Sequence, residues 1–382
     1  MSEQSAWSRN VAVEESSYYW RKEPIVYPGN YKPNGKPTVV ELFCGCGGTS
    51  TGFMMAGYDV LLGLDIFRPA IETFRANHAG AAAVLGDVAA FDPLAVAALT
   101  GGAAVDVLIG GIPCQGFSLN NRKRHDNDKR NFMYREFIRY VEALKPRAVV
   151  LENVSNIRSA GGGSFVKAIE EEIGNAAGMK VSSRILYAPD YGVPQKRRRM
   201  IFVGVRDAEF DFDQVQKTHG PGTAAPYVTI HDAIGDLPGL QVGETRLQYK
   251  TEAFTPYQRL MRDGAGSVLL NHTAPKHPAD TVERIRVTLP GKPMYEKFPQ
   301  RIRLAWDILS PTQVSGGIRP QFQFGHPEDN RGLSIRERCR LQSFPDTFEV
   351  KGGIVQGRVQ TGNAVPPLLA KAVALALKPH LA

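Results

Sequence analysis

Cys114 lies in the stretch "GGIPCQGFS", between a proline and a glutamine, directly after the apolar run "VDVLIG". A thiol at the end of a buried strand has two uses. It can pack as a small apolar residue, or it can attack as a thiolate, given a lowered pKa or a neighbouring base. Glu152, in "LENV", ends the next apolar run, where a carboxylate either caps the chain or shares the thiol's cleft. Arg197 and Arg199 alternate with Lys196 and Arg198 in "QKRRR". On an extended segment the odd-numbered pair shares one face. That face holds an anion, orients Glu152, or belongs to a solvated basic run.

A second set of residues suits a ligand with adenosine and no phosphates. "FCGCGG" sets Gly45, Gly47 and Gly48 in a turn after Thr38–Leu42. The dinucleotide pattern G-x-G-x-x-G would need glycine at 50, where Ser50 stands, so backbone can approach a ligand here without demanding a pyrophosphate. Asp65 ends the second strand, where a carboxylate accepts from two ribose hydroxyls. Asp87 ends the third, placed to accept from an adenine amino group. S-adenosylmethionine satisfies both.

These residues need strand ends to hold them. "TVVEL", "DVLLGLD", "AAVLGD", "VDVLIGG" and "AVVLENV" read as five strands, with helical stretches such as "RPAIETFRANH" and "REFIRYVEALKP" between them. Alternation of this kind predicts an α/β fold with a parallel, doubly wound Rossmann-like sheet. Right-handed crossovers then gather Phe43–Gly48, Asp65, Asp87, Pro113, Cys114, Glu152 and Asn153 at the carboxyl edge. From about Asp207 to Gly325 regularity fails, which predicts a separate module or functional loops. Helical signal returns in "RGLSIRERCRLQSFPD" and "GNAVPPLLAKAV".

Bulk composition narrows the function classes. The 382 residues carry a net charge of +8, an excess that suits a polyanionic partner. Four cysteines are too few for a disulfide scaffold, and the Cys44-x-Cys46 pair lacks the further ligands of a zinc site. Reduced thiols, no signal-peptide pattern and no membrane-length apolar run predict an intracellular protein without a metal or a membrane partner.

Taken together, the blocks resemble the C5-cytosine DNA methyltransferase family. "ELFCGCGG", "LD" at 64–65, "GD" at 86–87, "GGIPCQGFS", "RNFMYREF", "LENV", "VPQKRRRMIFVG", "RGLSIRERCRLQSFPD" and "GNAVPPLLAKAV" occur in that family's order, over residues 38–205 and 326–376. The resemblance implies a methyltransferase sheet at 37–206, completed by 326–382. It also implies a smaller irregular target-recognition domain inserted at 207–325, behind an N-terminal extension at 1–36.

By resemblance, Cys114 adds to C6 of a cytosine flipped from duplex DNA, and S-adenosylmethionine gives its methyl to C5, leaving S-adenosylhomocysteine. Glu152 holds N3 and the exocyclic amine, Arg199 contacts O2, Arg197 lies near the site and backbone phosphates, and Asn153 fixes the pocket. Phe43, Ile66 and Val88 surround adenine, with Pro113 nearby; Asn363 and Val365 lie at the methionine end. Gln115, Ser118, Asn120 and Arg122 meet the DNA gap or its flanks. Groove candidates are Arg259, Arg262, Asn271, His272, Lys276, Arg301, Arg303, Gln313, Arg319 and Gln323, most of them expected to be structural or phosphate contacts and only a few to read bases.

The resemblance further implies a monomer of cytoplasmic, prokaryotic or phage origin, nucleoid-associated on DNA and accompanied in some systems by a cognate restriction endonuclease. Rival readings are a tRNA cytosine methyltransferase, against which stand the missing Cys-Phe-Thr marker and the long insertion; a nicotinamide oxidoreductase; and a catalytically inactive DNA-binding relative.

Overall fold

The computed structural model describes residues 23–112, 133–315 and 323–381. Contacts divide the chain into two compact units. One runs to Leu186 and takes in Arg199–Val215 and the stretch from Val373; the other comprises Tyr187–Arg198 and Gln216–Ala372.

Among the described residues one eight-stranded sheet forms, from β1 (Ile25–Tyr27), β2 (Thr38–Leu42), β3 (Asp59–Asp65), β4 (Ala82–Leu85), β5 (Val107–Gly111), β6 (Ala148–Val154), β7 (Lys180–Tyr187) and β8 (Arg198–Val205). The spatial order is β1-β4-β3-β2-β5-β6-β8-β7. The five strands expected from sequence are β2 to β6, and they pair in parallel. Their near-continuous apolar runs are those of strands covered on both faces, and β2, β4 and most of β3 are buried throughout. Helices Gly48–Met55, Arg68–Asn77, Met133–Leu144 and Ser164–Ala177 lie where the sequence indicates. The fold is the expected Rossmann-like α/β sheet.

Two strands depart from the parallel expectation. β1, inside the N-terminal extension, pairs antiparallel with β4 and closes that edge. β8 lies between β6 and β7 and runs antiparallel to β6. Between β7 and β8 the chain has a single 3-10 turn, Ala188–Tyr191, and no helix, too short for the crossover that parallel strands need.

The chain order reverses at β2, which has β3 on one side and β5 on the other. In open α/β sheets a crevice opens outside the strand ends at that switch point. The register fixes its rim: Leu42 pairs with Leu64 and with Gly110, Asp65 with Leu85, and Gly111 with Glu152.

The second unit is irregular, with short helices that carry their own capping. Thr229 with Asp232, Thr255 with Gln258, and Ser334 with Glu337 form reciprocal capping boxes. Its interior is organised by buried arginines. Arg331 bonds both oxygens of Glu337 at 2.8 Å, and Arg340 bonds both oxygens of Asp346 at 2.5 and 2.6 Å. Paired and fully hydrogen-bonded, such charges tolerate burial; left single they would not.

The turn after β2 is sterically demanding. Gly47 has φ +86°, and a Cβ there would lie 2.3 Å from Cε1 of His78 and 2.9 Å from the Phe74 ring. Gly47→Ala should therefore destabilise the protein by about 2–4 kcal/mol, strain and overpacking together. Denaturant unfolding checks this, and an unchanged midpoint would contradict it.

Candidate active site

The turn leaving β2 holds Phe43, Gly45 and Gly47 at φ +54°, +52° and +86°. A left-handed phenylalanine is costly, and strain of this kind concentrates at functional sites. Cys44 N–H donates to Leu64 O (3.0 Å) and Gly47 N–H to Cys44 O (2.8 Å), so the turn is pinned to β3 and to itself. A Cβ at Gly45 would meet nothing within 4 Å. Here glycine supplies the backbone conformation and leaves space for a ligand.

Asp65 is built into the same turn. Its Oδ2 accepts from Gly45 N–H and its Oδ1 from Phe67 N–H, both at 2.8 Å. Burial raises the carboxyl's pKa, and these backbone donors pull it back. Each oxygen keeps lone-pair capacity for a further donor, as two ribose hydroxyls require. Ile66 is half-buried against the small core cluster beside it. Asp87 follows β4, with its Oδ1 accepting from Ala89 N–H at 2.9 Å, and Val88 is buried beside it. The open glycine and the two strand-end carboxylates fit adenosine.

Glu41 also belongs to this turn, and nothing singled it out in the sequence. It is 2 % exposed in β2 and accepts from Ser50 N–H at 3.0 Å and from the Ser50 hydroxyl. It thereby caps helix Gly48–Met55 from the strand; burial lifts its pKa to about 7. The available signal was a carboxylate in an otherwise apolar run.

Glu152 and Arg199 meet because of register. β6 pairs antiparallel with β8, Val154 opposite Arg199 and Glu152 opposite Ile201. Residues 152 and 154 share a face, so Arg199 is the diagonal neighbour of Glu152. Arg199 Nε lies 2.5 Å from Glu152 Oε1, with side chains 11 % and 12 % exposed. Burial lowers the guanidinium pKa and the carboxylate raises it. Asn153 points to the other face, is buried, and accepts from Val154 N–H at 2.7 Å.

Arg197 does not share the surroundings of Arg199. It is fully buried and donates to Gln313 O at 3.0 Å and to Gly362 O and Ala364 O, both at 2.9 Å. These carbonyls bracket Asn363, which is exposed, and Val365 is buried just beyond. Arg197 thus fixes a turn, while Lys196 and Arg198 face outward.

Most of the groove candidates have partners within the protein, as expected of a set in which only a few read bases. Asn271 closes a reciprocal pair with Val350 (2.8 Å each way), and His272 bonds Ser334 Oγ and Pro238 O at 3.0 and 2.9 Å. Arg262 pairs with Asp236, and Arg303 is spent on carbonyls such as Glu328 O (2.8 Å). Arg301 is buried against the Phe298 ring, and Gln313 and Gln323 bond backbone carbonyls. Only Arg259 and Lys276 of the described candidates are exposed. Pro113, Cys114, Gln115, Ser118, Asn120, Arg122 and Arg319 lie outside the described residues. Among the described residues no cluster suits a metal ion and no helix is long and apolar enough to cross a membrane.

The model of the C-5 cytosine-specific DNA methylase family matches residues 37–379. The chain is 35% identical over 372 residues to the Type II methyltransferase M.DdeI of Desulfomicrobium norvegicum, covering 88% of this chain and 87% of that protein. Against M1.HphI of Haemophilus parahaemolyticus the identity is 34% over 353 residues, covering 89% and 86%. Among solved structures, an E. coli prophage-encoded protein described as a DNA modification methyltransferase matches with a TM-score of 0.75 at 24% identity, over 91% of this chain and 99% of that one. The S. pombe Dnmt2 methyltransferase matches at 0.59 and 15%, over 90% and 99%. At these identities the solved structures speak to the fold.

The Glu152–Arg199 pair can be weighed directly. Removing either partner strands a buried charge, so each single alanine variant should lose about 2–4 kcal/mol and the double variant less than their sum. A denaturant double-mutant cycle measures this; strictly additive losses would contradict it.

Proposed function

We propose residue roles for a chain that belongs to the C-5 cytosine-specific DNA methylase family and methylates cytosine in DNA at C5. S-adenosylmethionine, when bound, supplies a sulfonium methyl that an electron-rich carbon can take. Phe43, Gly45, Gly47, Gly48, Asp65, Ile66, Asp87 and Val88 would hold its adenosine, with Pro113 nearby and Asn363 and Val365 for the methionine end.

Cytosine C5 is not nucleophilic enough by itself. Cys114 thiolate forms a bond to C6, and the ring's electron pair moves to C5. Glu152 holds a proton at N3 and accepts from the exocyclic amine, while Arg199 donates to O2, so charge is stabilised where it develops. After C5 gains its methyl, a base removes the C5 proton, the electrons return and the sulfur leaves. The observation that carries this assignment is the Glu152–Arg199 pair, set by register on the rim where Gly111 pairs with Glu152, three residues before Cys114.

The target base must leave the duplex, at a cost of a few kcal/mol. Gln115, Ser118, Asn120 and Arg122 are assigned to the gap and its flanks, and Arg319 to DNA. Residues 207–325 are assigned to site recognition, with Arg259 and Lys276 as the exposed candidates for base contact there. The Type II relatives suggest a partner restriction endonuclease and a bacterial or phage setting, and the chain is proposed to act as a monomer in the cytoplasm.

Cys114→Ala should abolish methyl transfer to duplex DNA while binding S-adenosylmethionine within about twofold of the parent. Retained turnover would refute the nucleophile. Exchanging residues 207–325 for the segment of a relative should move the methylated site in bisulfite-sequenced DNA; an unchanged site would place recognition elsewhere.

A further inference from the structure

The loop after β4 is held by one side chain that the roles above leave unused. Arg139, on helix Met133–Leu144, donates from Nη2 to the carbonyls of Val88 (2.7 Å), Phe91 (3.1 Å) and Ala89 (3.3 Å). Its Nη1 also reaches Phe91 O at 3.1 Å. Its Nε donates to Glu136, one turn earlier, at 3.1 Å, which sets the guanidinium plane. The buried Tyr140 places its hydroxyl 3.1 Å from the same Val88 and Phe91 oxygens. Val88, Phe91 and Tyr140 belong to one core cluster.

The geometry reaches the ligand side through one peptide plane. With Val88 C=O drawn toward the helix, planarity sends the N–H of Ala89 the opposite way. That N–H donates to Asp87 Oδ1 at 2.9 Å. The remaining Asp87 oxygen is left for a second donor. The guanidinium thus fixes a peptide, the peptide fixes a carboxylate, and the carboxylate is aimed from the loop. Arginine suits the task because its planar fork serves several carbonyls at once, which an ammonium does not.

We propose that Arg139 is a positioning residue for S-adenosylmethionine, aiming Asp87 at the adenine amino group without touching the ligand. The proposal rests on the assignment of Asp87 and Val88 to adenine. It also places the clamp on the helix that follows, in sequence, the segment bearing Cys114.

Calorimetric titration of the full chain with S-adenosylhomocysteine tests it, with DNA-binding affinity and the ligand-free melting temperature measured alongside. Arg139→Ala should raise the Kd about tenfold, the loss expected of charge-assisted hydrogen bonds, with DNA affinity unmoved. Arg139→Lys should fall between the two, and it carries the test if the alanine variant does not fold. Asp87→Ala should weaken binding at least as much as Arg139→Ala. If Asp87→Ala weakens binding and the Arg139 variants stay within twofold, the proposal is overturned while the adenine assignment stands. If Asp87→Ala itself stays within twofold, that assignment falls and the proposal with it. A variant that melts lower and binds less stoichiometrically at unchanged Kd is merely loosened, and that outcome also overturns the proposal.

Discussion

Everything at the candidate site depends on β2, the strand at which the chain order reverses, with β3 on one side and β5 on the other. Leu42 of β2 pairs with Leu64 and with Gly110, so the turn leaving β2 and the end of β5 come to the same rim. The chain leaves β2 through three left-handed residues, Phe43, Gly45 and Gly47. Asp65 bonds this turn from β3, and Glu41 of β2 ties the strand to the following helix through Ser50. One reversal in strand order therefore yields the backbone turn proposed to hold adenosine and, two strands away, a place for Glu152.

The two halves of the chemistry obey different electrostatic rules. Asp65 and Asp87 are strand-end carboxylates held by backbone N–H groups. Such groups can serve neutral hydroxyl and amine donors without a counter-charge. Glu152 is nearly buried and has the Arg199 guanidinium against it. A carboxylate held against a guanidinium has its orientation fixed, which the role proposed for it at N3 and the exocyclic amine requires. The β6–β8 register makes that pair, and a slip of one residue would send Arg199 to the opposite face.

Much of this was legible in the sequence, and the failures are informative. β2 to β6 were readable because strands covered on both faces are written as unbroken apolar runs ending in chemically odd residues. β1 was not, since three edge residues, Ile25–Tyr27, owe their conformation to β4 alone. The direction of β8 depended on a missing helix in the preceding link, a subtler cue than periodicity. The arginines' partners were the least legible. Arg197, Arg262, Arg301 and Arg303 stood among candidates of which most were expected to be structural or phosphate contacts, and which would be structural could not be read. Each meets partners supplied by the fold, such as Gly362 O, which stands 165 residues from Arg197. Local sequence holds no mark of a distant carbonyl waiting for a donor. Arg139 escaped notice for the same reason.

The central claim is a reversible bond between the Cys114 sulfur and C6 of an extruded cytosine. A duplex with 5-fluorocytosine in place of cytosine isolates it, since fluorine at C5 cannot leave as a proton does and the sulfur cannot be expelled after methyl transfer. Incubation with S-adenosylmethionine followed by denaturing electrophoresis and peptide mass spectrometry should give a DNA adduct at the peptide containing Cys114. An absence of adduct under conditions that methylate ordinary duplex, or an adduct at another residue, would contradict the account.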